Sequence, residues 1–131
     1  MSKIQESGEM YLEDILVLRQ KQGAVRAIDI VNLTGYSKPS ISRALGNLRE
    51  GGMIQVDKNG FIALTPEGEA RAQKVYERHR VLTEFFCRIG VPEEIASADA
   101  CKIEHDVSDT TFLKIKEFAM KLEGEAESRD A

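Results

Sequence analysis

The sequence predicts a mainly α fold: an N-terminal winged helix-turn-helix followed by a second, helical domain. Three observations predict it. Apolar residues recur at helical spacing in six segments, a glycine-containing corner separates the second segment from the third, and the only strand-like segments are short, adjacent and joined through Asp57-Lys58-Asn59-Gly60.

The first helix is expected from about Gly8 to Gln22, with Tyr11, Ile15 and Leu18 on one stripe and Gly23 as its stop. A short second helix, Arg26 to Leu33, ends at Thr34-Gly35. Ser37 is then an N-cap, with Pro39 in the first turn of a third helix that carries Ile41, Ala44, Leu45 and Leu48 and stops at Gly51-Gly52. Residues 53–56 and 61–64 flank Asn59-Gly60, a pair that favours the positive φ values of a tight hairpin, so the two strands form a wing.

Thr65-Pro66-Glu67-Gly68 supplies an N-cap, a proline and an acidic first turn to a long fourth helix. Ala72, Val75, Tyr76, His79, Leu82 and Phe86 lie along its apolar stripe, and it runs to Gly90. Pro92-Glu93-Glu94 starts a fifth helix, and Ser108-Asp109 caps a sixth with Phe112, Ile115, Ala119 and Leu122. From Gly124 onward the chain reads as a charged, poorly ordered tail. The expected division is residues 1–71 as the winged helix, 72–124 as the helical domain and 125–131 as the tail. No internal repeat is present.

Composition narrows the function classes. With 131 residues, 42% hydrophobic and 31% charged, the chain can bury a core without staples. No apolar stretch approaches the length of a membrane span, and the polar Ser2-Lys3-Ile4-Gln5-Glu6 lacks the apolar centre of a signal peptide, so a cytoplasmic location is expected. Two cysteines, Cys87 and Cys101, are too few for a disulfide scaffold. Cys87, beside Phe85, Phe86 and Ile89, reads as a buried hydrophobe.

The net charge of -4 conceals a gradient: residues 25–80 carry nine basic and six acidic groups, whereas residues 81–131 carry six and twelve. A positive middle is what phosphate contacts require, and an acidic final third repels DNA and attracts cations. Ser37, Lys38, Pro39, Ser40, Ser42 and Arg43 occupy the start of the third helix, the part that meets base edges in helix-turn-helix proteins. Pro39 offers only apolar contact, such as with a thymine methyl, and Arg43 can read guanine or hold a phosphate. Lys58 and Asn59 at the wing tip are phosphate-contact candidates, although turn chemistry alone also explains Asn59-Gly60.

A second constellation has metal chemistry. On a helix, Cys101, Glu104 and His105 stand at i, i+3 and i+4, so a thiolate, a carboxylate and an imidazole share a face. Met10 and Glu13, at i and i+3 on the first helix, can close such a site from the opposite side. Other readings compete. A methionine on an amphipathic helix is ordinarily core filler, and His79 on an apolar stripe can be a hydrogen-bonded core histidine.

These segments together resemble one family, the iron- and manganese-dependent repressors of the diphtheria-toxin-repressor (DtxR/MntR) type. The resemblance is carried by Glu9-Met10-Tyr11-Leu12, Ser37-Lys38-Pro39-Ser40-Ile41-Ser42-Arg43, Leu64-Thr65-Pro66-Glu67-Gly68, Tyr76-Glu77-Arg78-His79-Arg80 and the run from Cys101 through His105 to Ser108. It implies a winged-helix domain followed by a helical metal-binding and dimerisation domain, without the SH3-like third domain of many iron-responsive members. It also implies a homodimer that binds a palindromic double-stranded operator when loaded with metal, and no enzymatic activity.

By the same resemblance, Met10, Cys101, Glu104 and His105 match the primary metal site of the iron-responsive branch. Manganese-responsive members have carboxylates at the positions of Met10 and Cys101. Soft donors favour Fe(II) over Mn(II), with Ni(II), Co(II) or Zn(II) as surrogates in vitro. Glu13, His79 and a shared Glu104 match a second site. The chain departs from the iron branch's ancillary site, because Thr83 and Ser97 stand where that branch has a carboxylate and a histidine.

Three rivals remain open on sequence. One is a Mn(II) sensor of the same fold. Another is a metal-independent thiol redox sensor in which His105 lowers the pKa of Cys101. The third is a small metalloenzyme, for which no acid-base pair or substrate-pocket motif is visible.

Overall fold

A computed structural model of the protein describes residues 6–130, with side chains from 8 to 125. The polar segment Ser2–Gln5 and the side chains of 126–131 lie outside the described residues. Among the described residues the order is α1 (Glu6–Gln22), β1 (Val25–Arg26), α2 (Ala27–Thr34), α3 (Lys38–Glu50), β2 (Ile54–Val56), β3 (Phe61–Leu64), α4 (Pro66–Arg88), α5 (Glu93–Ile103) and α6 (Asp109–Asp130). No helix among them is long and apolar enough to cross a membrane. The chain divides into two units, one up to Val75 and one from Tyr76, with the division inside α4.

The first unit is a winged helix. Gly35 ends α2 at φ 79°, donating its N–H to Val31 O, and Ser37 opens α3 by accepting the Ser40 N–H on Oγ. Three residues therefore separate the two helices, the corner the sequence predicted. α3 buries Ile41, Leu45 and Leu48 at i, i+4 and i+7 against a core that also holds Leu12, Ile15, Leu16, Ile30 and Ile54. Removing each such side chain from water contributes about 1.5–3 kcal/mol. The opposite face of α3, with Lys38, Pro39, Ser40, Ser42 and Arg43, is exposed.

The sheet has the order β1-β3-β2, antiparallel throughout, with Val25 opposite Ile62 and Val56 also opposite Ile62 from the other side. β1 was not expected, because two residues are too short to show a period. The wing turn also departs from the Asn-Gly pattern. Only Gly60 has positive φ, at 85°, and Asn59 does not. Asp57 Oδ1 instead accepts the N–H groups of Asn59 and Phe61, while Gly60 donates to Asp57 O, giving a three-residue loop with a left-handed glycine at its end. The guanidinium of Arg26 lies over the Phe61 ring and donates to Asn59 O, fixing the wing to the start of α2.

Thr65 caps α4: its Oγ1 accepts the Gly68 N–H and donates to Gly52 O. Two ion pairs join α1 to the first half of α4, Arg19 to Glu69 in a two-pronged contact and Arg71 to Glu9.

The second unit comprises the end of α4 with α5 and α6. Leu82, Ala96, Ala100 and Phe112 are buried in it, together with the charged groups Arg78 and Glu104. Ser108 caps α6 by accepting the Thr111 N–H. α6 does not stop at Gly124, as expected, but continues to Asp130. One interior glycine costs a helix about 1 kcal/mol, and the surrounding Glu, Lys and Ala residues are strong helix formers.

Candidate metal centre and DNA-facing surface

Glu104 is the residue around which the second unit's polar groups gather. It follows the last residue of α5 and keeps helical dihedrals, φ −58° and ψ −27°, with its N–H still donating to Ala100 O. Its side chain therefore points into the unit and is 1% exposed. A carboxylate held there must be paired. Oε2 lies 3.0 Å from Nδ1 of His79 on α4, and Oε1 lies 3.3 Å from Nε2 of His105. Oε1 is nonetheless buried without a hydrogen bond, so the His105 contact lacks bonding geometry.

His79 is bracketed on its other edge. Nε2 is 3.3 Å from Oγ of Ser97 on α5. The imidazole is thus held at both nitrogens, and an ion bound there would take the place of one of these partners while the other kept the ring oriented. Ser97 is a functional candidate the sequence reading passed over, since it was noted only for lacking an imidazole. Its place one helical turn before Cys101 on α5 was the available signal.

The sequence-nominated residues are distributed over both units. His79, Glu104 and His105 come together in the second unit, and the His105 side chain is buried. Cys101 is exposed and in no disulfide, although it belongs to the same helix that positions Glu104. α5 ends at Ile103, so Cys101 lies within it whereas Glu104 and His105 form the turn that follows. Met10 and Glu13 lie on α1 in the first unit, Met10 half-buried and Glu13 9% exposed. Thr83, the other departure from the iron branch, has its Oγ1 buried without a hydrogen-bond partner.

The donor set fits a divalent cation. An imidazole, a buried carboxylate with one oxygen lacking a hydrogen bond, and a second imidazole beside that oxygen are the groups that Zn(II), Fe(II), Co(II) and Mn(II) take. In the first unit, Ser37, Lys38, Pro39, Ser40, Ser42 and Arg43 are exposed along the start of α3, and Lys58 and Asn59 are exposed at the wing tip. Asn59 is committed through its backbone on both sides, donating to Asp57 and accepting from Arg26, so only its side chain remains for a partner.

A winged helix followed by a helical unit with a buried carboxylate between two imidazoles defines a class, a DNA-binding fold with an appended metal-competent unit. Comparison with known proteins agrees. The family model described as "Iron dependent repressor, metal binding and dimerisation domain" matches residues 65–127. The chain is 35% identical over 111 residues to the transcriptional regulator MntR of Escherichia coli O6:H1, covering 85% of this chain and 72% of that protein. Its fold matches a manganese-dependent transcriptional repressor solved in complex with manganese, with TM-score 0.79 and 25% identity over 86% of this chain. It also matches IdeR of T. acidophilum, with TM-score 0.75 and 25% identity over 89% of this chain. The match spans 52% of the first solved chain and 55% of the second.

The chain belongs to the iron- and manganese-dependent (DtxR/MntR) family of transcriptional regulators.

Proposed function

We propose that the protein is a homodimeric repressor that binds a palindromic operator when loaded with a divalent metal. The observation that carries this reading is the His79–Glu104–His105 cluster, with its buried carboxylate oxygen lacking a hydrogen bond, in a chain whose other unit exposes the start of α3. In this reading Met10, Cys101, Glu104 and His105 form one ligand set, and Glu13, His79 and Glu104 another. Both assignments come from the sequence match. Each set draws on α1 and on the second unit, so a bound ion restricts the placement of the recognition helices. DNA affinity then rises because fewer molecules occupy mis-spaced states.

The imidazole and carboxylate groups gathered around Glu104 suit Mn(II), Fe(II), Co(II) and Zn(II) alike. Mn(II) is the first reading, supported by the name of the manganese-dependent repressor that the fold matches. Fe(II) is the second reading, carried by the soft sulfur donors of Met10 and Cys101. Dimerisation is supported by apolar residues of the second unit that stand more than half exposed, among them Ile89, Leu113, Phe118 and Met120.

The test selects binders from a randomised double-stranded DNA library, anaerobically, with Mn(II), Fe(II) or chelator, and weighs the protein by sedimentation. Selected half-sites with two-fold symmetry, retained only with metal and by a dimer, support the reading. Metal-independent selection would replace it with the thiol-sensor reading, which peroxide treatment then tests.

A further inference from the structure

Arg78 is one of three buried charged residues among those described, and it belongs to neither proposed ligand set. From α4, one residue before His79, its Nη1 donates to the main-chain oxygens of Glu104, at 2.9 Å, and of Val107. Nη2 donates to Oδ1 of Asp109, the first residue of α6. The guanidinium also lies over the ring of Phe112, 5.1 Å from its centre, on the first turn of α6.

This is an unusual use of a buried cation. Its carboxylate partner is mostly exposed, so charge neutralisation alone does not explain why the guanidinium is inside. Its geometry does. A planar fork can serve two carbonyls from one nitrogen and a carboxylate from the other, which a neutral donor or a lysine ammonium cannot do from one position. The carbonyl of Glu104 is among those a helix leaves unpaired at its C-terminus, where a cation is favoured. Two adjacent residues of α4 therefore grip Glu104 at different points, His79 at the carboxylate and Arg78 at the main chain. The same guanidinium then ties that main chain to the start of α6.

We infer that Arg78 is a positioning residue: it sets the main chain that presents Glu104 and His105, and it links that main chain to α6. The inference rests on the metal reading proposed above. A change at Glu104, such as ion capture, is passed through this guanidinium to α6, the helix that exposes Leu113, Phe118 and Met120. This role is invisible in the residue pattern, because Arg78 and Arg80 flank His79 symmetrically and nothing says which one turns inward.

The experiment uses the full chain as wild type, Arg78→Lys and Arg78→Met. Mn(II) affinity is read anaerobically by calorimetry, and amide hydrogen exchange of residues 104–109 is read without metal. Arg78→Met should weaken Mn(II) binding about 10- to 100-fold, the range typical of groups that orient ligands. Arg78→Lys should fall between it and wild type, and exchange at 104–109 should quicken in both. A role in overall stability alone would lower the melting temperature while leaving the Mn(II) affinity of the folded protein unchanged. That result overturns the inference, and if Arg78→Met does not fold, the same result with Arg78→Lys overturns it. A wild type that binds neither Mn(II), Fe(II), Co(II) nor Zn(II) overturns the metal reading instead. In that case the exchange of 104–109 decides the positioning claim by itself, and unchanged exchange overturns it.

Discussion

Nδ1 of His79 lies 3.0 Å from Oε2 of Glu104, joining the middle of α4 to the end of α5 across 25 residues of sequence. A proton or a metal ion can occupy such a pair, but not both on the same lone pair. An ion that takes Nδ1 of His79 displaces this hydrogen bond, one that takes only Oε1 of Glu104 does not, and an ordered pair reduces the entropy lost on capture.

His79→Ala and Glu104→Gln test this pair. Glutamine keeps the shape of Glu104 while removing its charge, and its side-chain amide can still hydrogen-bond His79. Wild type at a metal concentration 100 times Kd should gain about 2.7 kcal/mol, seen as a higher melting temperature. Both variants should lose most of that gain. A Glu104→Gln protein stabilised by Mn(II) as fully as wild type would remove Glu104 from the ligands.

Gly68 tests the junction between the wing and α4. A Cβ built there would stand 1.9 Å from the carbonyl oxygen of Met53, a backbone atom whose contact also includes the Thr65 N–H. Glycine-to-alanine inside a helix is ordinarily stabilising by about 1 kcal/mol. Here the sign should reverse, because the start of α4 must move off the Met53 main chain. Urea unfolding of Gly68→Ala should show a lower midpoint than wild type; a higher one would mean the junction yields without cost.

Much of this architecture was legible because it depends on local chemistry. Ser37, Thr65 and Ser108 cap the helices they were expected to cap, and the α2–α3 corner turns on Gly35. What was hidden depends on partners distant in sequence. β1 exists only because Val25 and Arg26 pair with β3, and the wing turn is held by Asp57 rather than by the Asn-Gly pair. At the candidate metal centre the sequence nominated His79, Glu104 and His105. It could not reveal that Ser97 braces His79 or that the side chains of Cys101 and Glu104 differ so sharply in exposure, since helical spacing places residues on a face without saying what covers it.

The Arg19–Glu69 pair gives a pH prediction. Hydrogen bonding from Arg19 holds the Glu69 carboxyl below its usual value, with burial opposing. A depressed carboxylate stabilises the fold above its unfolded pKa, and the contribution disappears as pH falls through the folded pKa. Both side chains are partly exposed, so the contribution is screened to about 0.2–1 kcal/mol. The stability difference between wild type and Glu69→Gln should be present at pH 7, shrink in high salt and vanish in strong acid. A difference that grew on acidification would contradict the direction of the shift.

The residues proposed to contact DNA separate by role. Arg43→Ala should cost about 1–3 kcal/mol if it reads a guanine, and should relax preference at one position in each half-site. Lys58→Ala should weaken all sequences alike and reduce the salt slope by about 1. Fluorescence anisotropy on selected operators measures both. Unchanged binding by both variants would move the DNA contact away from the start of α3 and the wing tip.

The case for Fe(II) rests on two soft donors. Met10 and Cys101 are the residues that argue for Fe(II), while the groups gathered around Glu104 in the second unit are nitrogen and oxygen donors. Replacing both residues, Met10→Asp with Cys101→Asp, makes the first ligand set mostly oxygen and leaves Glu104 and His105 in place. If the soft donors hold the regulatory ion, the double variant should shift its response from Fe(II) toward Mn(II), because hard carboxylates favour the harder ion. If Glu13, His79 and Glu104 hold it, the variant should keep the metal preference of wild type, and His79→Ala should abolish the response. Operator affinity by anisotropy, titrated anaerobically with each metal for wild type and the two variants, separates these outcomes. A wild type indifferent to both metals and to chelator would remove the metal from the mechanism and leave Cys101 as the group to test by oxidation.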